Sequence, residues 1–449
     1  MGRLFGTDGV RGIANTELTC DLAFKLGRAG AFVLSGENAK RPRILVGKDT
    51  RRSGDMLESA LVAGICSAGA QAILAGVVPT PAVACLVRKY GCDAGVVISA
   101  SHNPAEFNGI KFFNSEGYKL LDEIEERMER IILDDAEEIP SPVGDQVGTV
   151  HTIESAAEDY VDHAIQTIKT DLSGLRVALD CANGASSITS PKAIRRLGAE
   201  VLVINNNPDG MNINRDCGST HLDMIKKFTV ENRCHVGLAF DGDADRVLAV
   251  DEKGRLVDGD HIMAIIGLDL KNKGLLAHNT IVATVMSNMG FDEMARNNGL
   301  NIIKAPVGDR YVLEKMLEGG FILGGEQSGH VIMTEHNTTG DGLITALMLL
   351  SVLKDSGKSL SELNSVMKDY PQVLRNARVC NSKKYSYRED PIIEEHCSRL
   401  EQAFHGEGRV LIRPSGTEPL VRVMIEGKDQ DYITEKAEEL VRIIEERLG

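Results

Sequence analysis

The chain has no tryptophan, few aromatic residues and more acidic than basic side chains. Among its 449 residues, 50 Lys and Arg stand against 65 Asp and Glu, so the formal net charge is −15. A protein that binds nucleic acid over a broad surface needs a basic face to neutralise the phosphates, so we expect no nucleic-acid partner. An acidic chain can still bind an anion in a pocket that concentrates its basic groups.

Membrane-spanning runs and disulfide motifs are also missing. The longest apolar run of interest, Leu343 to Leu353, has about half the length needed to cross a bilayer. The segment Met1 to Asp8 lacks the charged-then-apolar pattern of a signal peptide. The nine cysteines are scattered and form no Cys-x-x-Cys pair, which is typical of reduced thiols. We therefore expect a cytoplasmic protein with no membrane partner.

One structural theme occurs three times along the chain. An apolar strand is followed by a helical stretch that stops at a glycine, and two more apolar strands complete the unit. The three units begin their successive strands at Arg43, Ala72 and Gly95, at Arg176, Val201 and Val236, and at Thr280, Ile302 and Phe321. Continuous apolar strands that alternate with helices predict parallel or mixed sheets covered on both faces.

The theme is not repeated after Pro371, where a β-like run and an amphipathic closing helix follow. At about 100–200 residues per domain, the length predicts three or four domains. We predict an α/β protein: three similar mixed or parallel-sheet α/β domains and a smaller α+β C-terminal domain, four domains around a central cleft. The expected divisions are 1–150, 151–254, 255–369 and 370–449.

The third strand of each unit runs directly into a polar loop. Ligands gather at the carboxyl ends of parallel strands, so these loops are the candidate site. The first loop contains Ser101, whose hydroxyl is a poor nucleophile unless it is activated or already carries the group to be transferred. Lys111 is a possible proton donor or acceptor. A simple Ser/Asn/Pro turn that caps the strand is the alternative.

The second loop carries Asp241, Asp243 and Asp245. Three carboxylates at this spacing repel one another, and a hard cation such as Mg²⁺ relieves the repulsion. A calcium EF-hand is disfavoured, because Arg246 stands where the turn glycine is needed. An aspartyl phosphatase motif, Asp-x-Asp-x-Thr/Val, stays open, because Asp243 to Val247 matches it.

Two further loops have the chemistry of sugar and phosphate binding. Glycines around Glu326 and Ser328 allow close approach to sugar hydroxyls. The segment Arg413 to Pro419 combines a guanidinium, two hydroxyls and a glycine-permitted backbone nest, which suits a phosphate dianion. Together the four loops predict phosphoryl transfer on a small phosphorylated polyol. A non-catalytic phosphosugar-binding protein is the remaining alternative.

Five motifs, in order over the whole chain, resemble those of the α-D-phosphohexomutase superfamily. They are Phe5-Gly-Thr-Asp-Gly-Val-Arg11-Gly, Ser99-Ala-Ser101-His-Asn-Pro, Asp241-Gly-Asp-Ala-Asp245-Arg, Gly325-Glu-Gln-Ser-Gly-His330 and Arg413-Pro-Ser-Gly-Thr-Glu-Pro419. The serine and sugar loops look most similar to those of members that act on glucosamine phosphates. Members that act on mannose and glucose phosphates are the alternative.

The resemblance implies that Ser101 is a phosphoserine whose phosphate oxygen joins Asp241, Asp243 and Asp245 around one Mg²⁺ per chain. Whether Ser99 could accept the phosphate if Ser101 were lost stays open. The enzyme would interconvert glucosamine 6-phosphate and glucosamine 1-phosphate through glucosamine 1,6-bisphosphate, and it would supply UDP-N-acetylglucosamine synthesis. The expected partner is a small phosphosugar substrate, and a homodimer stays open.

The resemblance also implies roles for the remaining site residues. Arg11 and Arg246 would balance the phosphoserine charge, and Lys111 or His330 would handle the proton. Residues expected to bind the sugar are Gly308, Asp309, Arg310, Glu326 and Ser328, and residues expected to bind its phosphate are Arg413, Ser415, Gly416, Thr417 and Arg422.

Overall fold

The computed structural model describes residues 3–6, 8–35, 41–415 and 418–449. They form two compact units, one of Met1–Met286 with Gly299–Val366 and one of Ser287–Asn298 with Met367–Gly449. No helix in these ranges is both long and apolar enough to cross a membrane.

The first unit contains three sheets, and the first of them has six strands in the order β1-β5-β4-β2-β3-β6. The central strands β4, β2 and β3 are parallel, while β5 runs antiparallel to β4 and β1 antiparallel to β5. The elements are β1 (Val10–Ile13), α1 (Cys20–Leu34), β2 (Arg43–Lys48), α2 (Ser53–Ser67), β3 (Gln71–Val77), α3 (Thr80–Tyr90), β4 (Ala94–Ile98), β5 (Phe107–Asn114), α4 (Asp122–Asp134) and β6 (Val150–Thr152).

The second sheet has five strands in the order β11-β10-β9-β7-β8. Strands β7, β8 and β9 are parallel, β10 runs antiparallel to β9, and β11 runs antiparallel to β10. The elements are α5 (Ala156–Ile165), β7 (Arg176–Asp180), α6 (Ser186–Arg196), β8 (Glu200–Ile204), α7 (Asp223–Glu231), β9 (Val236–Phe240), β10 (Val247–Asp251) and β11 (Leu256–Val257).

The third sheet has four strands in the order β13-β12-β14-β15. The apolar run Leu343 to Leu353 lies in helix α11, which packs beside this sheet. The run is almost entirely buried, so it forms part of the core. The elements are α8 (Gly259–Asn272), β12 (Thr280–Thr284), α9 (Met289–Asn297), β13 (Asn301–Ala305), α10 (Asp309–Gly319), β14 (Leu323–Gly325), β15 (Val331–Met333), α11 (Gly342–Ser356) and α12 (Leu360–Asn364). Of these, α9 belongs to the second unit.

The three sheets share one plan, which confirms the predicted repeat. In each, the third strand ends in a polar loop and the chain returns along an antiparallel neighbour: β4 to β5, β9 to β10 and β14 to β15. The return strand β5 was not predicted, because its sequence Phe-Asn-Gly-Ile-Lys-Phe-Phe-Asn mixes polar and apolar residues. All six interior positions of β5 are nevertheless buried.

Two expected domain divisions fall inside sheets. The division at 150 cuts β6 after its first residue, although all three residues of β6 pair with β3. The division at 254 separates β11 from β10, its antiparallel partner. The linking helix α5 packs against both α3 and α6, so it serves both neighbours.

The second unit is a three-stranded antiparallel sheet in the order β16-β18-β17, with helices α9, α13 and α14. The predicted closing helix is present, with its apolar side buried and its first turn capped by Asp429. The remaining elements are β16 (Gln372–Arg378), α13 (Pro391–Phe404), β17 (Gly408–Pro414), β18 (Leu420–Gly427) and α14 (Gln430–Leu448).

Candidate active site

The loop between β4 and β5 brings Ser101 to the acidic loop between β9 and β10. The Ser101 hydroxyl is buried and donates a hydrogen bond of 2.6 Å to Asp241 Oδ2. The backbone of Ser101 is left-handed, with φ of 52°. This conformation costs a residue with a side chain about 1–2 kcal/mol, and such strain is concentrated at functional sites.

Asp241, Asp243 and Asp245 form a buried cluster in which one oxygen from each lies within 4.8 Å of the others. Oδ1 of Asp243 is buried and accepts no hydrogen bond from the described residues. Burial, and then the charges of Asp245 and Asp243, raise the pKa of Asp241 well above its usual range. Three converging carboxylate oxygens with an open position fit a hard divalent cation such as Mg²⁺.

Lys111 reaches this cluster from β5. The antiparallel pairing places Lys111 opposite Val97, so the return strand carries its side chain back beside the loops. Lys111 Nζ lies 3.0 Å from Asp243 Oδ2 and 3.0 Å from Asp8 Oδ2. Burial alone would lower the pKa of Lys111, but the carboxylates of Asp243 and Asp8 outweigh it and raise that pKa. Thr80 Oγ1 also donates to Asp243 Oδ2, at 2.6 Å.

His330 contacts the cluster at Asp245, from the loop between β14 and β15. Its Nδ1 is 3.5 Å from Asp245 Oδ2, and its Nε2 is 3.4 Å from Asp309 Oδ2. The Gly340 N–H donates to Nε2 at 3.1 Å, and a Cβ on Gly340 would come within 2.4 Å of that nitrogen. Burial would lower the pKa of His330, but Asp245 outweighs it and raises that pKa.

Asp8 and Lys119 connect these groups into a chain of alternating charges. Lys119 Nζ lies 2.6 Å from both Asp8 Oδ1 and Asp309 Oδ2. Asp8 also pairs with Arg11. Burial favours a high pKa for Asp8, but Lys111, Lys119 and Arg11 together hold that pKa well below its usual range. The sequence analysis assigned no role to Asp8 or Lys119, because only the tertiary contacts place them between the predicted residues.

Arg246 lies at the end of the acidic loop and contacts two of its aspartates. Its Nη1 is 3.2 Å from His102 Nδ1, its Nε is 3.8 Å from Asp245 Oδ1, and its backbone N–H donates to Asp241 Oδ1 at 3.2 Å. Burial opposes the charge of Arg246, but Asp245 and Asp241 raise its pKa. Arg246 therefore stays a cation beside the Ser101 loop.

Some of the residues predicted to bind the sugar contact one another, and others do not. Glu326 Oε1 accepts the Gly308 N–H at 3.2 Å, and Gly308 has φ of 128°, which glycine tolerates. Ser328 is exposed at the tip of the same loop. Arg310 is directed elsewhere, because its guanidinium pairs with Asp122 and, at 3.1 Å, with Glu314.

The predicted phosphate residues lie in the second unit. Arg413 and Arg422 are directly opposite each other on β17 and β18. Like charges at such a position repel, and Arg422 Nη2 lies 3.8 Å from Glu418 Oε2. Ser415 is buried, and its Oγ accepts the Glu418 N–H at 3.2 Å. Gly416 and Thr417 lie outside the described residues.

Ser99 has a different role from Ser101. It is fully buried, its hydroxyl donates to Asp49 Oδ2 at 2.6 Å, and its Oγ accepts the Ser101 N–H at 3.0 Å. The Ser99 hydroxyl thus contacts Asp49, whereas the Ser101 hydroxyl contacts Asp241 of the acidic cluster. Asp49 follows β2 at the same sheet edge as the other loops, and this position was the signal that could have identified it.

The comparisons with known proteins agree with this geometry. Four family models match in order: phosphoglucomutase/phosphomannomutase alpha/beta/alpha domain I at residues 2–138, domain II at 158–254, domain III at 258–370 and the C-terminal domain at 374–443. The chain therefore belongs to the phosphoglucomutase/phosphomannomutase family. Curated relatives named phosphoglucosamine mutase match it over the full length of both chains, at 65% identity in Acetivibrio thermocellus and 64% in Ruminiclostridium cellulolyticum. Within the family, the chain thus lies in the phosphoglucosamine mutase branch.

Solved structures share the fold at low sequence identity. A phosphoglucomutase/phosphomannomutase family protein from Burkholderia thailandensis matches with a TM-score of 0.82 at 23% identity, covering 98% of this chain and 96% of that one. The N-acetylphosphoglucosamine mutase of Aspergillus fumigatus, in complex with GlcNAc-6P and magnesium, matches with a TM-score of 0.72 at 17% identity, covering 99% and 96%.

Proposed function

We propose that this enzyme interconverts glucosamine 6-phosphate and glucosamine 1-phosphate and that Ser101 carries the phosphoryl group. The observation that carries the proposal is the 2.6 Å hydrogen bond from Ser101 Oγ to a buried cluster of three aspartates. The hydrogen bond joins a hydroxyl suited to hold a phosphate to a site suited to hold a divalent cation. The glucosamine specificity is supported by the full-length relatives named phosphoglucosamine mutase.

Asp241, Asp243 and Asp245, with an oxygen of phosphorylated Ser101, would hold one Mg²⁺. Bound there, the ion supplies charge neutralisation for the transferring phosphoryl group. A phosphoserine carries about −1.5 to −2 charges at neutral pH and the substrate phosphate a similar charge, so the two repel on approach. Arg246 and Lys111 add positive charge around the same oxygens.

In the first step, the O1 hydroxyl of glucosamine 6-phosphate attacks phosphorus, the bond from phosphorus to Ser101 Oγ breaks, and O1 loses its proton. The product is glucosamine 1,6-bisphosphate and free Ser101. After the bisphosphate reorients, Ser101 Oγ attacks the 6-phosphate, the bond from phosphorus to O6 breaks and O6 gains a proton. Glucosamine 1-phosphate leaves, and the phosphoserine is regenerated. The protein contributes mainly positioning and charge stabilisation.

Two groups are candidates for the proton transfer. Lys111 and His330 are both buried, and the raised pKa of each favours its protonated form, which can donate a proton to the departing oxygen. The group that takes the proton from the attacking hydroxyl must first have given up its own. The residue that acts as acid and base is the one whose loss removes an arm of the pH–rate profile. Loss of the other lowers kcat without changing the shape of that profile.

Substrate binding uses the two remaining loops. Glu326 with Gly308 offers polar groups to the sugar hydroxyls, and Asp309 does so from its ion pair with Lys119. Arg413 and Arg422 bind the phosphate that is not reacting, helped by Ser415 and by the segment that contains Gly416 and Thr417. Arg310 joins the sugar site only after its pair with Asp122 opens.

The proposal includes a cytoplasmic location and a role in supplying UDP-N-acetylglucosamine synthesis. All nine cysteines are free thiols, as expected in a reducing compartment. A small phosphosugar is the only partner that the proposal requires. Light scattering of the purified protein distinguishes a monomer from a homodimer.

The decisive experiment incubates purified protein with glucosamine 6-phosphate, with and without Mg²⁺, and measures glucosamine 1-phosphate. We expect turnover only with the ion, and faster than with glucose or mannose phosphates. Mass spectrometry of the isolated enzyme should locate phosphate on Ser101. An aspartyl phosphatase would instead carry a hydroxylamine-labile phosphate on Asp243, and a binding protein would carry none; either result refutes the proposal.

A further inference from the structure

The backbone of the Ser101 loop is held by a pair of side chains that no motif identified. Ser101 has a left-handed backbone, so the loop needs contacts that offset its strain. The carbonyl oxygens of Ser101 and Asn103 each accept hydrogen bonds from Arg51 and from Asn214. We call these four groups the carbonyl clamp.

The distances in the carbonyl clamp are short on both sides. Arg51 Nη2 lies 3.1 Å from Ser101 O and 2.6 Å from Asn103 O. Asn214 Nδ2 lies 2.9 Å from the first oxygen and 3.0 Å from the second. Both side chains are buried, so the bonds form away from competing water.

The two donors come from different sheets. Arg51 follows β2, in the same sheet as the strand that precedes Ser101, and it also pairs with Asp49. Asn214 lies in the long loop after β8, in the sheet that carries the acidic cluster, and its own backbone N–H donates to Ala182 O at 2.9 Å. Asn214 is therefore the side chain that ties the phosphate-carrying loop to the body of the metal-binding sheet.

The acidic loop packs directly on this contact. A Cβ on Gly242, which lies between two of the aspartates, would come within 2.6 Å of Ser101 O and 2.8 Å of Asn214 Nδ2. The carbonyl clamp and the acidic loop are thus in close packing contact. A displacement of the clamp would therefore displace the backbone of the acidic loop. Such a shift would alter the 2.6 Å contact between Ser101 Oγ and Asp241.

We propose that Asn214 is a positioning residue for the phosphoryl transfer, which holds Ser101 at a fixed distance from the aspartate cluster across the boundary between two sheets. This inference rests on the proposed function. A misplacement of about 1 Å costs about 100-fold in rate, so the loss should appear in kcat. Substrate binding does not involve Asn214, so KM should stay nearly unchanged.

Asn214 has a left-handed backbone, with φ of 58°. The test uses Asn214→Asp, which keeps the side-chain shape and tolerates that backbone. It replaces the donating amide by an oxygen that repels both carbonyls. Asn206→Asp is the matched control, because it makes the same change at an exposed position of the same loop. We expect kcat to fall about 10- to 100-fold in Asn214→Asp and to stay within about twofold of wild type in Asn206→Asp.

Asn214→Gly serves as the second variant, in case the introduced charge prevents folding. It also tolerates positive φ, and it leaves both carbonyls bonded to Arg51, so no buried acceptor is orphaned. Its kcat should fall about tenfold with KM within about threefold. The ³¹P signal of phosphorylated Ser101 should shift in this variant, whereas a purely structural role would leave it in place.

The outcomes separate the inference from the function on which it rests. If wild-type protein turns over glucosamine phosphates and Asn214→Gly keeps both its kcat and its ³¹P signal, the positioning role is refuted and the function stands. Equal losses in Asn214→Asp and Asn206→Asp would also refute it. If wild-type protein shows neither turnover nor phosphate on Ser101, the proposed function itself fails.

Discussion

Ser101→Ala and Ser99→Ala should have opposite main effects. Ser101→Ala should lose more activity, and Ser99→Ala should lose more stability. Both hydroxyls are buried in one loop, yet they have different partners. Ser101 Oγ makes a single short hydrogen bond, to Asp241. Ser99 Oγ takes part in three: it donates to Asp49, accepts the Ser101 N–H, and accepts an N–H of Arg51 at 3.5 Å.

The magnitudes follow from these contacts. Ser101→Ala loses one bond to a carboxylate, about 1.5–3 kcal/mol at most, and the loss is partly offset because a bound cation can satisfy Asp241. Ser99→Ala loses a bond to a carboxylate and also leaves the buried Ser101 N–H without an acceptor, so it should cost about 2–4 kcal/mol. For activity, the larger loss should occur in Ser101→Ala. Ser101→Ala should lose at least about 10³-fold in kcat because no group carries the phosphate, and Ser99→Ala only about tenfold.

Three measurements test this pair: glucosamine 1-phosphate formation, the unfolding midpoint in denaturant, and mass spectrometry of the phosphorylated residue. Wild type and Ser99→Ala should carry phosphate on Ser101, and Ser101→Ala should carry none. Phosphate on Ser99 in Ser101→Ala, or turnover within tenfold of wild type, would refute the assignment. A Ser101→Ala protein less stable than Ser99→Ala would refute the account of the contacts.

Three further predictions concern the bound cation, the substrate phosphate and the titration of the Glu125 carboxyl in α4. Asp243→Asn should lower kcat about 100-fold and raise the Mg²⁺ concentration needed for half-maximal rate, since it removes one of three cluster charges; a Mg²⁺ titration of the rate measures this. Arg413→Ala should raise KM about 10- to 100-fold with kcat little changed, whereas Arg375→Ala, at an exposed position of the same sheet, should change neither in steady-state assays. Burial and the nearby Asp122 raise the pKa of Glu125 to about 7, so its stabilising contribution is full below its usual pKa and is lost as the pH rises through 7. Glu125→Gln should therefore stabilise the protein by about 1 kcal/mol near pH 8.5, after allowance for solvent screening, and not near pH 5, as denaturant unfolding at the two pH values would show.

Much of the site could be anticipated because strand ends are a local feature of the chain. An apolar strand followed by Ser99 to Pro104, or by Asp241 to Arg246, identifies a polar loop at a sheet edge without knowledge of any contact. The three loops of the first unit do meet, and Lys111 and His330 contact different aspartates, Asp243 and Asp245.

The supporting residues could not be anticipated in the same way. Asp8 and Lys119 read as ordinary surface charges, and only the fold places Lys119 between Asp8 and Asp309. Arg310 stands beside a predicted sugar residue, yet the nearby Asp122 draws its guanidinium away. Long side chains reach several neighbours, so their partners depend on distances between elements that are remote in sequence.

The sequence by itself determined the three repeated α/β units, the positions of the polar loops and the chemistry that each loop offers. These depend on local periodicity and on residue types that have few alternatives. Only the tertiary structure decided that Ser101 faces the aspartates while Ser99 faces Asp49, and that Asn214 ties the two sheets together. The physical reason is that a hydroxyl's role depends on which groups surround it, and those groups converge only when the sheets have packed.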